Sequence, residues 1–146
     1  MNQVVMIPFP GRGHINPMLN LSHLLSSLIN HPNRTTVFTV IVTKEWLRLL
    51  NPDPNQPTVH FATIPNVLPS ELHRGSNMIA FLTAICTKMK RPFEEVLDRM
   101  ETEVPVNLII ADANMLWPFE VANERNIPVA AYWPMPASSG ESRIQR

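Results

Sequence analysis

His14 and Asp112 are the titratable residues of this chain whose sequence positions best suit proton transfer; His23, His31, His60 and His73 are scattered over helix, loop and strand positions that explain them without function. His14 closes the turn Pro8-Phe9-Pro10-Gly11-Arg12-Gly13-His14, directly after the apolar run of residues 4–7. An imidazole is the side chain best suited to take or give a proton near neutral pH. Alone, His14 could as well open a helix or hydrogen-bond the turn. Asp112 ends a second apolar run, residues 106–111. A carboxylate beside an imidazole fixes its tautomer and stabilises the imidazolium that forms when it takes a proton. Alone, Asp112 could as well cap the helix that begins near Trp117, although Ala113 to Leu116 intervene.

The elements between them bear on that choice. Residues 4–7, 37–42, 59–64, 106–111 and 127–132 read as strands, short and rich in β-branched or apolar side chains. Residues 15–28 read as a helix, with Met18, Leu21, Leu25 and Leu28 at spacings of three and four and Pro17 in its first turn. Residues 44–50 read as a short helix that Thr43 could cap. Residues 65–77 have turn chemistry. Residues 79–100 read as a long helical stretch that Pro92 either kinks or splits, and residues 119–124 as a short helix. Strands alternating with helices predict an α/β fold, a doubly wound, mostly parallel Rossmann-like sheet with right-handed crossovers. Its common strand order is three-two-one-four-five, with the ligand crevice between strands one and four. That order brings His14 and Asp112 to one crevice although 98 positions separate them, and it favours a dyad in which His14 is the base.

Other chemistries have less support. Gly11 and Gly13 begin a G-x-G, but Asn16 stands where a third glycine would complete a dinucleotide fingerprint. No acidic residue follows the second strand, where Val42-Thr43-Lys44 stands, which argues against an NAD-type domain. There is no G-K-[ST], no zinc-type Cys/His spacing and no G-x-S-x-G. Twelve Lys and Arg balance twelve Asp and Glu, which offers nothing to a nucleic acid or an anionic membrane. The 146 residues are 45% hydrophobic, enough for one cored domain. The single cysteine, Cys86, excludes an internal disulfide and fits a reducing, cytoplasmic setting; its apolar neighbours predict a buried structural thiol. No secretory signal pattern and no run near the ~20 apolar residues of a membrane helix is present. The sequons at Asn20 and Asn33 are accordingly read as chance matches.

The segment Phe9-Pro10-Gly11-Arg12-Gly13-His14-Ile15-Asn16-Pro17-Met18 resembles the N-terminal signature of plant UDP-sugar-dependent glycosyltransferases. Residues 108–117, then Glu120-Val121-Ala122 and Ile127-Pro128, resemble a second block of that family. The likeness runs from the start of the chain to about Ser138. It implies one half of a GT-B architecture, two Rossmann-like domains facing across a cleft. It also implies a catalytic dyad of His14 and Asp112, with inversion at the sugar's anomeric carbon. Arg12 stands where relatives often have Gln.

On that resemblance, residues 1–138 are expected to form the acceptor-binding N-terminal domain and residues 139–146 a polar tail. The donor-binding C-terminal domain, with its His-Cys-Gly-Trp-Asn-Ser run, is not in this sequence. The chain is therefore expected to be a truncated form, inactive alone, or a catalytically silent binding or regulatory fragment. The expected partner is a small hydroxylated acceptor, with a UDP-sugar, UDP-glucose by expectation, as co-substrate only if a donor domain is supplied. No cofactor, metal, nucleic acid or membrane is expected. Candidate acceptor contacts are Phe9, Gly13, Met78, Met115 and Leu116, with Phe81 and Trp133 better explained by core packing.

Overall fold

The computed structural model describes residues 1–55 and 59–134, the side chains of His73 and Arg74 excepted. The expected tail at 139–146 lies outside the described residues. Five parallel strands form one sheet in the order β3-β2-β1-β4-β5. They are β1 (Asn2–Ile7), β2 (Thr36–Thr43), β3 (His60–Ile64), β4 (Leu108–Asp112) and β5 (Val129–Tyr132). Around them lie α1 (Arg12–Ile29), α2 (Lys44–Leu50), α3 (Met78–Lys88), α4 (Lys90–Glu101) and α5 (Trp117–Glu124), with a 3-10 turn at Glu71–Ser76. The predicted α/β class and strand order both hold.

Period-two alternation divides the core between the two faces of the sheet. Val4, Met6, Phe38, Val40, Val42 and Ile110 pack on the α1 and α2 side. Val5, Ile7, Ile41, Ile109 and Ala111 pack on the α3, α4 and α5 side. Phe93 is fully buried there and meets Trp117 edge-on at 5.2 Å, tying α4 to α5. Burying a side chain of that size contributes roughly 1.5–3 kcal/mol. Arg125, at the end of α5, adds ion pairs to Asp98 at 2.7 Å and Glu101 at 3.8 Å on α4.

The elements differ from expectation in these places. First, α1 starts at Arg12, so Pro17 sits inside it rather than in its first turn. The buried face of α1 is Ile15, Met18, Ser22 and Ser26, while Leu28 is exposed. The two serines satisfy their hydroxyls locally: Ser22 Oγ donates to the Leu19 carbonyl, and Ser26 Oγ accepts from Asn30 Nδ2. Second, the long helical stretch is split, and the break falls at Met89 rather than at Pro92. Pro92 cannot donate to the Lys88 carbonyl, so the chain ends one helix and places Pro92 in the first turn of the next, where no N–H is needed. Third, the strands β3, β4 and β5 are shorter at their starts than the apolar runs suggested, and residues 71–76 carry a 3-10 turn within a segment read only as loop.

Cys86 is exposed, against the expectation of a buried thiol. The buried face of α3 is Phe81, Ala84 and Ile85, continued by Met89. Cys86 is rotated about 100° past Ile85 and turns outward. Native protein is expected to react stoichiometrically with a thiol reagent without denaturant. Protection of Cys86 until the chain unfolds would return it to the core.

Candidate functional site

The site is set by parity along β4. Leu108 and Ile110 face α1, so Asp112 faces α1 too, at the carboxyl end of the strand. β1 is its neighbour, and the turn after β1 delivers α1. Gly11 is the residue before that helix; its backbone is extended, and its carbonyl accepts from the N–H groups of His14 at 3.0 Å and Ile15 at 2.8 Å. Winding therefore begins at Arg12, and His14 stands in the first turn.

His14 Nδ1 lies 2.8 Å from Asp112 Oδ2. The pair expected at the crevice between β1 and β4 is thus in direct contact. The Asp112 side chain is fully buried, and the His14 ring keeps 19% of its surface accessible. A buried carboxylate needs a donor for each of its lone pairs. Among the described residues Asp112 has four: His14 Nδ1, the Phe9 N–H at 3.4 Å, the Asn114 N–H at 2.9 Å and Asn114 Nδ2 at 3.0 Å. Asp112 is therefore not the cap of α5. That helix begins after Leu116 with no side-chain cap.

With Nδ1–H donating to Asp112, the neutral ring carries its lone pair on Nε2. Phe9 holds the other side of the ring, its centroid 4.8 Å from that of His14, and itself meets Phe81 edge-on at 6.1 Å. The first turn of a helix carries partial positive charge, so an imidazolium formed there needs Asp112 as its counter-charge. The arrangement can hold one proton acceptor in one orientation at the mouth of the sheet.

The candidate acceptor contacts divide. Phe9 and Gly13 flank His14, and a Cβ at Gly13 would meet nothing within 4 Å, so the space there is open. Met78 and Leu116 are exposed, at 47% and 78%. Met115 is corrected to a core residue, because the turn after Asp112 folds it back against the α3–α5 face, where it is 2% exposed. Phe81 is core, as expected. Two neighbours of the pair were not read from the sequence. Asn114 gave no signal beyond its place two residues after Asp112. Tyr132 pairs with Asp112 in the β4–β5 register and packs on the same face of the sheet.

A hollow of about 560 Å³ lies elsewhere, lined by Arg12, Asn16, His23, Asp53, His60 and Phe61 among others. Its α1 residues recur on the side of the helix about half a turn from His14, so it lies apart from the His14–Asp112 pair. Among the described residues no group of three His, Cys, Asp or Glu could hold a metal, and no helix is long and apolar enough to cross a membrane.

No family model matches the chain. Individual relatives do. UDP-glycosyltransferase 87A1 of Arabidopsis thaliana is 47% identical over 133 residues, which are 90% of this chain and 29% of that protein. UDP-glycosyltransferase 87A2 of the same plant is 44% identical over 135 residues, 92% of this chain and 29% of that protein. The chain thus spans less than a third of the length of the relatives it matches. Among solved structures, Os79 from O. sativa in complex with U2F and trichothecene superposes with a TM-score of 0.69 at 22% identity, covering 93% of this chain and 30% of that one. Arabidopsis thaliana UGT89C1 complexed with UDP-L-rhamnose gives 0.67 at 23%, covering 92% and 36%. The likeness is one of fold: the five-stranded parallel sheet superposes on about a third of each of these chains.

The site also makes a prediction about its neighbour. The chain has one tyrosine, so phenolate absorbance reports on Tyr132 alone. Burial first, and then the Asp112 carboxylate, push its pKa above the ordinary 10.0, since both disfavour the phenolate. Titration is expected to give a midpoint above that of free tyrosine. Asp112→Asn should lower the midpoint without reaching the free value, because burial remains. Identical midpoints in the two proteins would separate Tyr132 from the carboxylate.

Proposed function

We infer that this chain, related in sequence to the N-terminal part of plant family 1 UDP-glycosyltransferases, supplies the acceptor-binding side and the catalytic base of an inverting sugar transfer. The observation that carries the reading is the 2.8 Å contact between His14 Nδ1 and a fully buried Asp112. In the proposed reaction, His14 Nε2 takes the proton of an acceptor hydroxyl. The acceptor oxygen attacks the anomeric carbon of a UDP-sugar from the face opposite the leaving group. The bond from that carbon to the phosphate oxygen breaks, UDP departs with the electron pair, and the configuration inverts. Asp112 balances the imidazolium until its proton is released. The acceptor class is a small, largely apolar molecule with a hydroxyl, entering beside Phe9 and Gly13. UDP-glucose is the donor proposed, and the cytoplasm the setting.

Donor recognition is assigned to sequence outside these residues. A diphosphate needs several backbone and cationic donors at a helix N-terminus. The first turn of α1 offers Arg12 but neither a third glycine nor a lysine. The Arg12 guanidinium, moreover, lies over the Trp46 ring, 5.6 Å from its centroid.

Two experiments test the proposal. Residues 1–134, grafted in place of the matching part of UDP-glycosyltransferase 87A1, should support glucoside formation from UDP-glucose. His14→Ala in that chimera should lower turnover by roughly 10²–10⁴-fold, the usual worth of a general base. Near-normal turnover in the variant would mean that another group takes the proton. The 146-residue chain alone, given UDP-glucose and phenolic acceptors, should bind acceptor weakly and release no UDP. Robust glucoside formation by the chain alone would overturn the assignment of donor binding elsewhere.

A further inference from the structure

We propose that Asn114 is the positioning residue of the dyad: by holding one oxygen of the Asp112 carboxylate it fixes the plane of the group, so that the other oxygen is presented squarely to His14 Nδ1. The proposal rests on the reading of His14 as the base. The carboxylate torsion of an aspartate is broad and two-fold, so its backbone position alone does not fix the plane in which its oxygens meet their partners. Here the oxygens are distinguished by their donors. Among the described residues Oδ1 accepts only from Asn114, through the backbone N–H at 2.9 Å and the side-chain Nδ2 at 3.0 Å. Oδ2 accepts from His14 Nδ1 at 2.8 Å and from the Phe9 N–H at 3.4 Å.

The backbone contact is an Asx-turn, in which Asp112 accepts from the N–H two residues on. The side-chain contact is a separate device. Asn114 carries the one amide side chain that donates to Asp112 among the described residues, and the carboxylate has no water-accessible surface to recruit a substitute. Removal of Nδ2 leaves Oδ1 with a single donor. The carboxylate then gains by turning, and the Nδ1–H contact with His14 loosens. An aspartate at position 114 has the same shape but no donor when ionised, and it places like charges at hydrogen-bond distance.

The test uses the 146-residue chain and nitrogen-detected NMR of its histidines, with His14 assigned by the loss of its signals in His14→Gln. In the unsubstituted protein, the neutral His14 ring should be the Nδ1–H tautomer, its Nδ1–H slow to exchange, and the Asn114 side-chain NH₂ should be protected as well. Asn114→Ala should speed exchange of His14 Nδ1–H by about tenfold or more, the worth of one hydrogen bond to a charged group. It should also raise the Nε2–H tautomer, with core amides such as Val5 and Ile110 unchanged. Asn114→Asp at neutral pH should disturb the ring further still.

An unprotected Asn114 NH₂ in the unsubstituted protein would overturn the proposal whatever the variants do. Unaltered tautomer and exchange in Asn114→Ala, or an Asn114→Asp protein indistinguishable from the original, would overturn it too. If His14 is not the Nδ1–H tautomer in the unsubstituted protein, the dyad reading itself fails. That result is distinct from intact pairing that is indifferent to Asn114.

Discussion

The Asp112 carboxylate has no solvent-accessible surface, and much of the upper rim of the sheet is arranged around that fact. Breaking a buried charged pair costs about 3–5 kcal/mol, because the charge left behind has no water to turn to. The donors must therefore come from fixed places in the fold. They come from three: the turn after β1 through Phe9, the first turn of α1 through His14, and the loop after β4 through Asn114. Each lies at the carboxyl end of a strand, where backbone leaves the ladder and its N–H groups become available.

The imidazole is placed by the same demand. It answers the carboxylate through Nδ1, and Phe9 closes the opposite side of the ring. What remains free is one nitrogen in one direction. In the proposed reaction such a base owes its usefulness to orientation more than to strength, since proton transfer requires the acceptor hydroxyl to come within hydrogen-bond reach. The surrounding elements are built to hold still. Phe93 and Trp117 lock α4 to α5, and the Asn30 side chain bonds the N–H and the carbonyl of Thr36 across the α1–β2 connection.

The crevice beside this rigid pair is open. Gly13 leaves space, Met78 and Leu116 stand exposed, and the relatives are more than three times as long as the stretch they share with this chain. The proposed division of labour follows from that asymmetry. In that proposal proton removal and acceptor contact belong to these residues, while recognition of a nucleotide diphosphate needs donors that the first turn of α1 does not offer.

The sequence by itself determined the class of fold and the meeting of the two candidate residues. Five β-branched runs separated by helical spacings admit few topologies, and strand order with side-chain parity then sends His14 and Asp112 to the same side of the same crevice. Local pattern went no further where apolar character and burial part company. Cys86 reads as core from its neighbours, but one residue of helical rotation turns it to solvent. Met115 reads as an acceptor contact, but the turn after β4 folds it into the core. The break at Met89 needed the helix ladder, because a proline ends the hydrogen bonding four residues upstream of itself. Only the tertiary structure decided which groups satisfy Asp112. Hydrogen-bond partners of a buried charge are set by where separate loops converge, and no spacing along the chain carries that information for Phe9, Asn114 and His14 together.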